Sequence, residues 1–154
     1  MRHRKISQIG AITTCAIFAI LLVSTFSCSN EEESYFIEGT INGQTYRCSA
    51  YVLAGAGGGA TAILASDSES DYLNGNNAWT ISVFGTTTGT YNGLTNMILY
   101  GVDAANFYIG SGSILSITIT SYGDVVEGTF DGQITYSGDA QDYPISGSFR
   151  APMQ

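Results

Sequence analysis

The carboxylates of Asp67-Ser68-Glu69-Ser70-Asp71 stand at alternate positions, and Asn74-Gly75-Asn76-Asn77 follows in the same polar stretch. Oxygen donors so spaced suit calcium, which extracellular modules bind at roughly 0.1–1 mM. The EF-hand pattern is not met: Tyr72 stands where glycine is required, and Ala78 where the bidentate glutamate belongs. Asp67, Glu69 and Asp71 therefore read first as a solvated acidic loop, with calcium as the alternative. A second pair, Glu127 and Asp131, invites comparison with glycosidase carboxylates, which stand about 5–10 Å apart. Four residues along one strand separate them by about 13 Å, too far for the pair alone to hydrolyse a glycan. Cys48 alternates with Tyr46 and Ala50 and reads as a small buried hydrophobe. A nucleophilic thiol needs an activating base, and the chain's one histidine, His3, lies at its start. The expectation is a non-enzymatic protein.

Aromatic residues offer a different chemistry. All ten tyrosines and the single tryptophan lie at or beyond Tyr35, and rings bearing polar groups suit sugars, peptides and protein partners. Most such rings in a β domain pack across strands. Tyr72, in the polar stretch beside Trp79, is the ring expected to be exposed, and Tyr72 with Trp79 forms the candidate ligand-binding pair. The run Gly55-Ala56-Gly57-Gly58-Gly59 lacks the Gly-Lys-Ser/Thr ending and following helix of a phosphate-cradling loop, and reads as a flexible connection.

The elements that position these residues begin with an export signal. Arg2, Arg4 and Lys5 precede an apolar run, Ala16–Val23, of eight residues, where a bilayer-spanning helix needs about twenty. The run closes on Ser24-Thr25-Phe26-Ser27-Cys28, so residues 1–27 read as a cleaved signal. Residues 28–34 form a Cys followed by an acidic tether, Ser29 to Ser34, which reaches at most about 20 Å. Removing the signal leaves Arg47 and Arg150 against thirteen carboxylates, a net charge of −11. That balance excludes nucleic acid and anionic headgroups as partners by charge repulsion. With Cys28 modified, Cys48 is the remaining thiol and no intrachain disulfide forms.

Residues 35–154 have a β texture throughout, with nineteen glycines and two prolines in the chain and turn residues between short runs. Tyr35–Ile41 and Gln44–Leu53 flank Asn42-Gly43, a type I′ hairpin signal. Further strands are expected at Thr61–Ser66, Trp79–Gly85, Thr90–Tyr100, Asn106–Ile109, Ile114–Thr120, Val125–Tyr136 and Tyr143–Arg150. In Val125–Tyr136 the period of two puts Val126, Gly128, Phe130, Gly132, Ile134 and Tyr136 on one face. No amphipathic helix is expected. The fold class is all-β: an antiparallel β-sandwich or flattened barrel of about eight or nine strands, the sandwich ranked first. The alternative is a closed lipocalin-like barrel carrying a small apolar ligand.

The chain resembles known proteins in three places. Its N-terminus through Cys28 resembles a bacterial lipoprotein signal, in which the Cys becomes the acylated first residue. Ser29-Asn30-Glu31-Glu32-Glu33 is similar to the acidic tether of surface-destined Bacteroidota lipoproteins. The phrases Gly39–Tyr46, Val126–Gly132 and Ile145–Arg150 resemble those of small Bacteroidota lipoproteins with β-rich domains of unknown function. The resemblance implies a membrane anchor through acyl chains on Cys28 and an outer-membrane or cell-surface address; the expected glycan or envelope-protein partner comes from the aromatic residues, not from the resemblance. It implies no catalytic residues.

Overall fold

Asn42 and Gly43 both adopt positive φ (49° and 82°), the backbone of a type I′ turn whose twist matches two antiparallel strands. That hairpin opens a computed structural model that describes Ser34–Gln154, the side chains of Leu94 and Thr95 excepted. The signal segment, Cys28 and the run Ser29–Glu33 lie outside the described residues. In chain order the elements are β1 (Phe36–Ile41), β2 (Gln44–Cys48), β3 (Tyr51–Gly57), β4 (Ala60–Ser66), α1 (Glu69–Asn74), β5 (Ala78–Val83), β6 (Gly89–Gly101), β7 (Phe107–Ser121), β8 (Val125–Tyr136) and β9 (Asp142–Pro152).

All nine strands join one antiparallel sheet in the order β2-β1-β9-β8-β7-β6-β5-β4-β3. The sheet curls until its ends meet. Ala54 of β3 bridges Met153 in parallel, and the Gln154 N–H donates to the Ala54 carbonyl at 3.0 Å. The architecture is thus the nearly closed, flattened-barrel form of the expected all-β class, one continuous sheet instead of two stacked ones. Each strand turns alternate residues inward. Trp79, Ile81 and Val83 of β5, Leu115, Ile117 and Ile119 of β7, and Phe130, Ile134 and Phe149 of β8 and β9 meet in the interior, at 2% exposure or less. Large side chains fill the barrel. Gly39, Gly128 and Gly147 stand where rings cross: a Cβ on Gly39 would press on Trp79, and one on Gly147 on Phe130.

Four expectations are corrected. The strand Gln44–Leu53 is broken at Ser49-Ala50, because Cys48 turns inward while the next segment crosses to the far edge of the sheet and pairs with β4. Ala50 is accordingly exposed and does not share the inner face with Cys48. The glycine run is no loose loop. Gly55-Ala56-Gly57 extends β3, and Gly58-Gly59 (φ 61° and 80°) makes a second two-residue turn. Asn106–Ile109 and Ile114–Thr120 are one strand, β7, whose register slips between Ile109 and Leu115. The slip flips its parity, so Ile109 faces out and Leu115 in. Finally, the acidic stretch holds α1. Ser68 caps it, its hydroxyl accepting the Asp71 N–H at 3.1 Å, and Gly75 ends it at φ 69°. Six residues with none buried carry no helical periodicity for the sequence to display.

Candidate functional site

Alternation of direction around the sheet places the β1–β2, β4–β5, β6–β7 and β8–β9 connections at one end of the barrel. The chain enters at the other end, because β1 runs antiparallel to β9 and Phe36 lies opposite Arg150. The two ends differ in chemistry. Asp67, Glu69 and Asp71 occupy the β4–β5 segment, Asp103 the β6–β7 loop, Asp139 the β8–β9 turn, and Asp142 the first position of β9. Among the described residues both arginines lie elsewhere on the wall, each held by a carboxylate at 3.0 Å: Arg47 by Glu38 and Arg150 by Glu127.

On the outer wall at this acidic end, α1 and strands β5 to β7 enclose an open cleft of about 510 Å³. Tyr72 and Leu73 of α1, Thr80 of β5, Leu99 of β6, and Asp103 and Phe107 line it. The helix sits close because Gly101 has no side chain; a Cβ there would strike the Gly75 carbonyl oxygen. Leu73 is 76% exposed and Phe107 37% exposed, so the lining is apolar yet open to water. The cleft continues as a row of outward residues in register, Leu53, Leu64, Thr80, Leu99 and Ile109, across five strands. Four steps of about 4.8 Å make that row about 19 Å long. The opposite wall carries Thr90, Thr118, Thr129, Ser148, Glu38 and Arg47 in the equivalent positions. That row of the opposite wall is polar where the cleft side is apolar.

Asp103 is locked in shape as well as place. Its Oδ1 accepts the N–H groups of Ala105 and Asn106 at 2.8 and 2.9 Å, and the Asn106 amide spans both its oxygens. Those donors, the Asn106 side chain first, hold its carboxyl below the usual range, so the rim of the cleft keeps its negative charge.

The two aromatic candidates separate. Tyr72 lines the cleft, half-buried, with its ring 6.2 Å from that of Tyr51. Trp79 is fully buried behind the same wall, its ring tilted against those of Tyr100 at 4.5 Å and Phe130 at 5.9 Å. Trp79 shares its face with Ile81 and Val83 as the alternation expects, but that face is the interior, so it is no ligand-facing ring; Ala78 and Thr80 on either side of it reach the cleft. Asp67, Glu69 and Asp71 do not converge. Asp67 accepts from the Asn77 amide at 2.5 Å, Asp71 accepts from the Ser68 hydroxyl at 2.6 Å, and Glu69 is exposed. Among the described residues no three His, Cys, Asp or Glu side chains group as metal ligands.

Inside the same end, tyrosines from five strands close the barrel. Tyr46 lies 4.8 Å from Tyr100, and Tyr108 lies 6.3 Å from Tyr100, 4.7 Å from Tyr136 and 5.9 Å from Tyr143. The Tyr100 hydroxyl donates to the Asn77 side chain at 2.8 Å, and burial pushes its pKa well up. The Cys48 thiol donates to the Asn77 carbonyl at 3.1 Å, and burial, with Asp67 adding to it, pushes that thiol up to about 12. Cys48 is thus a neutral, inert filler. This cluster was invisible in the sequence, since only strand register brings those five positions together.

The cleft is apolar in the middle and carries the Asp103 carboxylate at its rim. The chain matches no protein-family model, no curated protein and no solved structure. Its functional reading rests on this geometry and on the motifs of its own N-terminus. Among the described residues no helix is long and apolar enough to cross a membrane.

Proposed function

We propose that this protein is a lipid-anchored cell-envelope protein, carried by acyl chains on Cys28, that acts as a non-catalytic binding module. The observation that carries the reading is the opposition of the two ends. The chain enters the domain beside Phe36, and the cleft with its acidic loops lies at the other end. A tether that joins the domain at Phe36 therefore leaves the mouth of the cleft clear of the point of attachment. The resemblance of Met1–Glu33 to a lipoprotein signal and acidic tether supports an outer-membrane address with the domain on the cell surface.

The filled interior supports contact at the surface over carriage of a ligand inside. Glu127, held by Arg150, and the exposed Asp131 support the non-catalytic reading over glycan hydrolysis. Mass spectrometry of the mature N-terminus, paired with protease shaving of whole cells, tests the proposal. The expected result is an acylated Cys28 as the first residue and a domain accessible to protease. Recovery of native protein with residues 1–27 attached, or with an unmodified thiol at position 28, would overturn it.

A further inference from the structure

The outer wall combines two features in one place. The cleft between α1 and β5–β7 is apolar, open and large enough, at about 510 Å³, for an aromatic or branched aliphatic side chain with its flanking backbone. Carboxylates accompany it: Asp103 stands in the lining itself, Glu69 and Asp71 lie on α1, whose Tyr72 to Asn74, with the capping Gly75, line the cleft, and Asp139 lies in the β8–β9 connection that is tied to Phe107. Phe107 and Ser137 make that tie, the Ser137 N–H donating to the Phe107 carbonyl at 2.9 Å and the Ser137 hydroxyl accepting the Phe107 N–H at 3.0 Å. Among the described residues no cation neutralises this rim: Arg47 pairs with Glu38 and Arg150 with Glu127 on the other wall.

A second copy of the chain would bring the same negative field and be repelled. An acidic or phosphorylated partner would meet the same barrier. A purely apolar partner would leave Asp103 facing an uncharged surface, stripped of water with nothing in exchange. The complement of this surface is a chain that is cationic and carries an apolar anchor.

We infer that the cleft receives a basic peptide segment of a partner protein, which seats an aliphatic or aromatic side chain between Leu73, Leu99 and Phe107 and sets flanking lysines or arginines against the loop carboxylates. This rests on the binding reading above and names its partner class. The central anchor supplies the desolvated contact, while the charges set the encounter rate and reject anionic chains.

The test uses the full chain purified in a non-ionic detergent and two synthetic probes, acetyl-Lys-Phe-Lys-Leu-Lys-amide and its Glu-for-Lys counterpart, titrated by calorimetry. The lysine peptide binds and the glutamate peptide does not. Raising salt from about 0.1 M to about 1 M shortens the Debye length from about 10 to about 3 Å and weakens binding roughly fivefold or more. Asp103→Asn, which keeps an oxygen for the Ala105 and Asn106 N–H groups, weakens it by a similar factor, and Leu73→Ser, at the most exposed position, weakens it independently of salt. Equal binding of the two peptides, binding of neither, or binding indifferent to both Asp103→Asn and Leu73→Ser would overturn the inference. The N-terminus and shaving results do not depend on these titrations, so the envelope reading stands or falls separately.

Discussion

Gly39→Ala is the sharpest test of the barrel interior. The new Cβ would sit 2.8 Å from Trp79 Cζ2 and 3.2 Å from Phe130 Cζ, with Trp79 Cη2 nearer still. These are atoms of rigid rings, both at 2% exposure or less, not the free tips of flexible chains. Forcing a methyl group into a filled core costs about 1–3 kcal/mol. The φ of Gly39 is not positive, so alanine also restricts the unfolded chain and returns about 0.4–1 kcal/mol. The net expectation is destabilisation of about 1–2 kcal/mol, a fall in Tm of roughly 3–10 °C for a domain of this size.

The clash belongs to the six-membered ring of the indole, which a second substitution removes. Trp79→Phe by itself loses buried ring contacts. It also deletes an indole N–H that is buried with no hydrogen-bond acceptor among the described residues, so part of its loss is offset. In the Trp79→Phe background, Gly39→Ala should become neutral or stabilising by up to about 1 kcal/mol. Urea unfolding of the four proteins, followed by far-UV circular dichroism because the only tryptophan is altered, gives the coupling energy. A coupling of about 1 kcal/mol or more is expected. If Gly39→Ala destabilises both backgrounds equally, the packing of Trp79 across β1 is wrong and with it the inward face assigned to β5.

Other outcomes follow from the same structure. Cys48 ionises in the unfolded chain near its ordinary value of 9.0 and in the folded domain near 12. The stability this difference supplies is complete below pH 9 and is lost as pH rises toward 12, by at most about 1.4 kcal/mol per pH unit. Tyr100, shifted the same way by burial, extends the loss further upward, and thermal melts from pH 7 to pH 11 should show Tm falling only above pH 9. For the same reason the native thiol should resist maleimide at neutral pH and react only in denaturant, which mass spectrometry would read. Gly101→Ala presses on the Gly75 carbonyl and should lift α1 from the wall, lowering stability by about 1–3 kcal/mol and weakening the lysine peptide as well. Asp67 and Asp71 hold separate partners and Glu69 is exposed, so Tm in millimolar calcium should equal that in EDTA; a clear rise would restore the calcium site.

The alternating runs carried the fold class by themselves. A period of two with one apolar face admits only a half-buried strand, and a one-residue slip would drive Glu127 and Asp131 into the core. Local chemistry likewise placed the Asn42-Gly43 turn, because two successive positive φ angles have few sequence solutions. Wherever a residue's fate depended on its neighbours in space, the linear pattern was silent. Trp79 looked like a ligand-facing ring beside a polar stretch, yet its parity in β5 sends it inward. Ala78 and Thr80, which carry no chemical signal of their own, reach the cleft instead. Ile109 and Leu115 share a parity but face opposite ways, because β7 slips its register between them. The cleft exists only because Gly101 admits the end of α1 and because two connections far apart in the chain, β4–β5 and β6–β7, emerge at one end of the barrel. Short-range periodicity and turn stereochemistry are properties of adjacent residues, so the chain alone determined the strands, the first turn and the net negative charge. Curvature, register and the meeting of distant loops depend on closing the sheet, so only the tertiary structure decided which ring is core, which surface is apolar, and where the carboxylates gather.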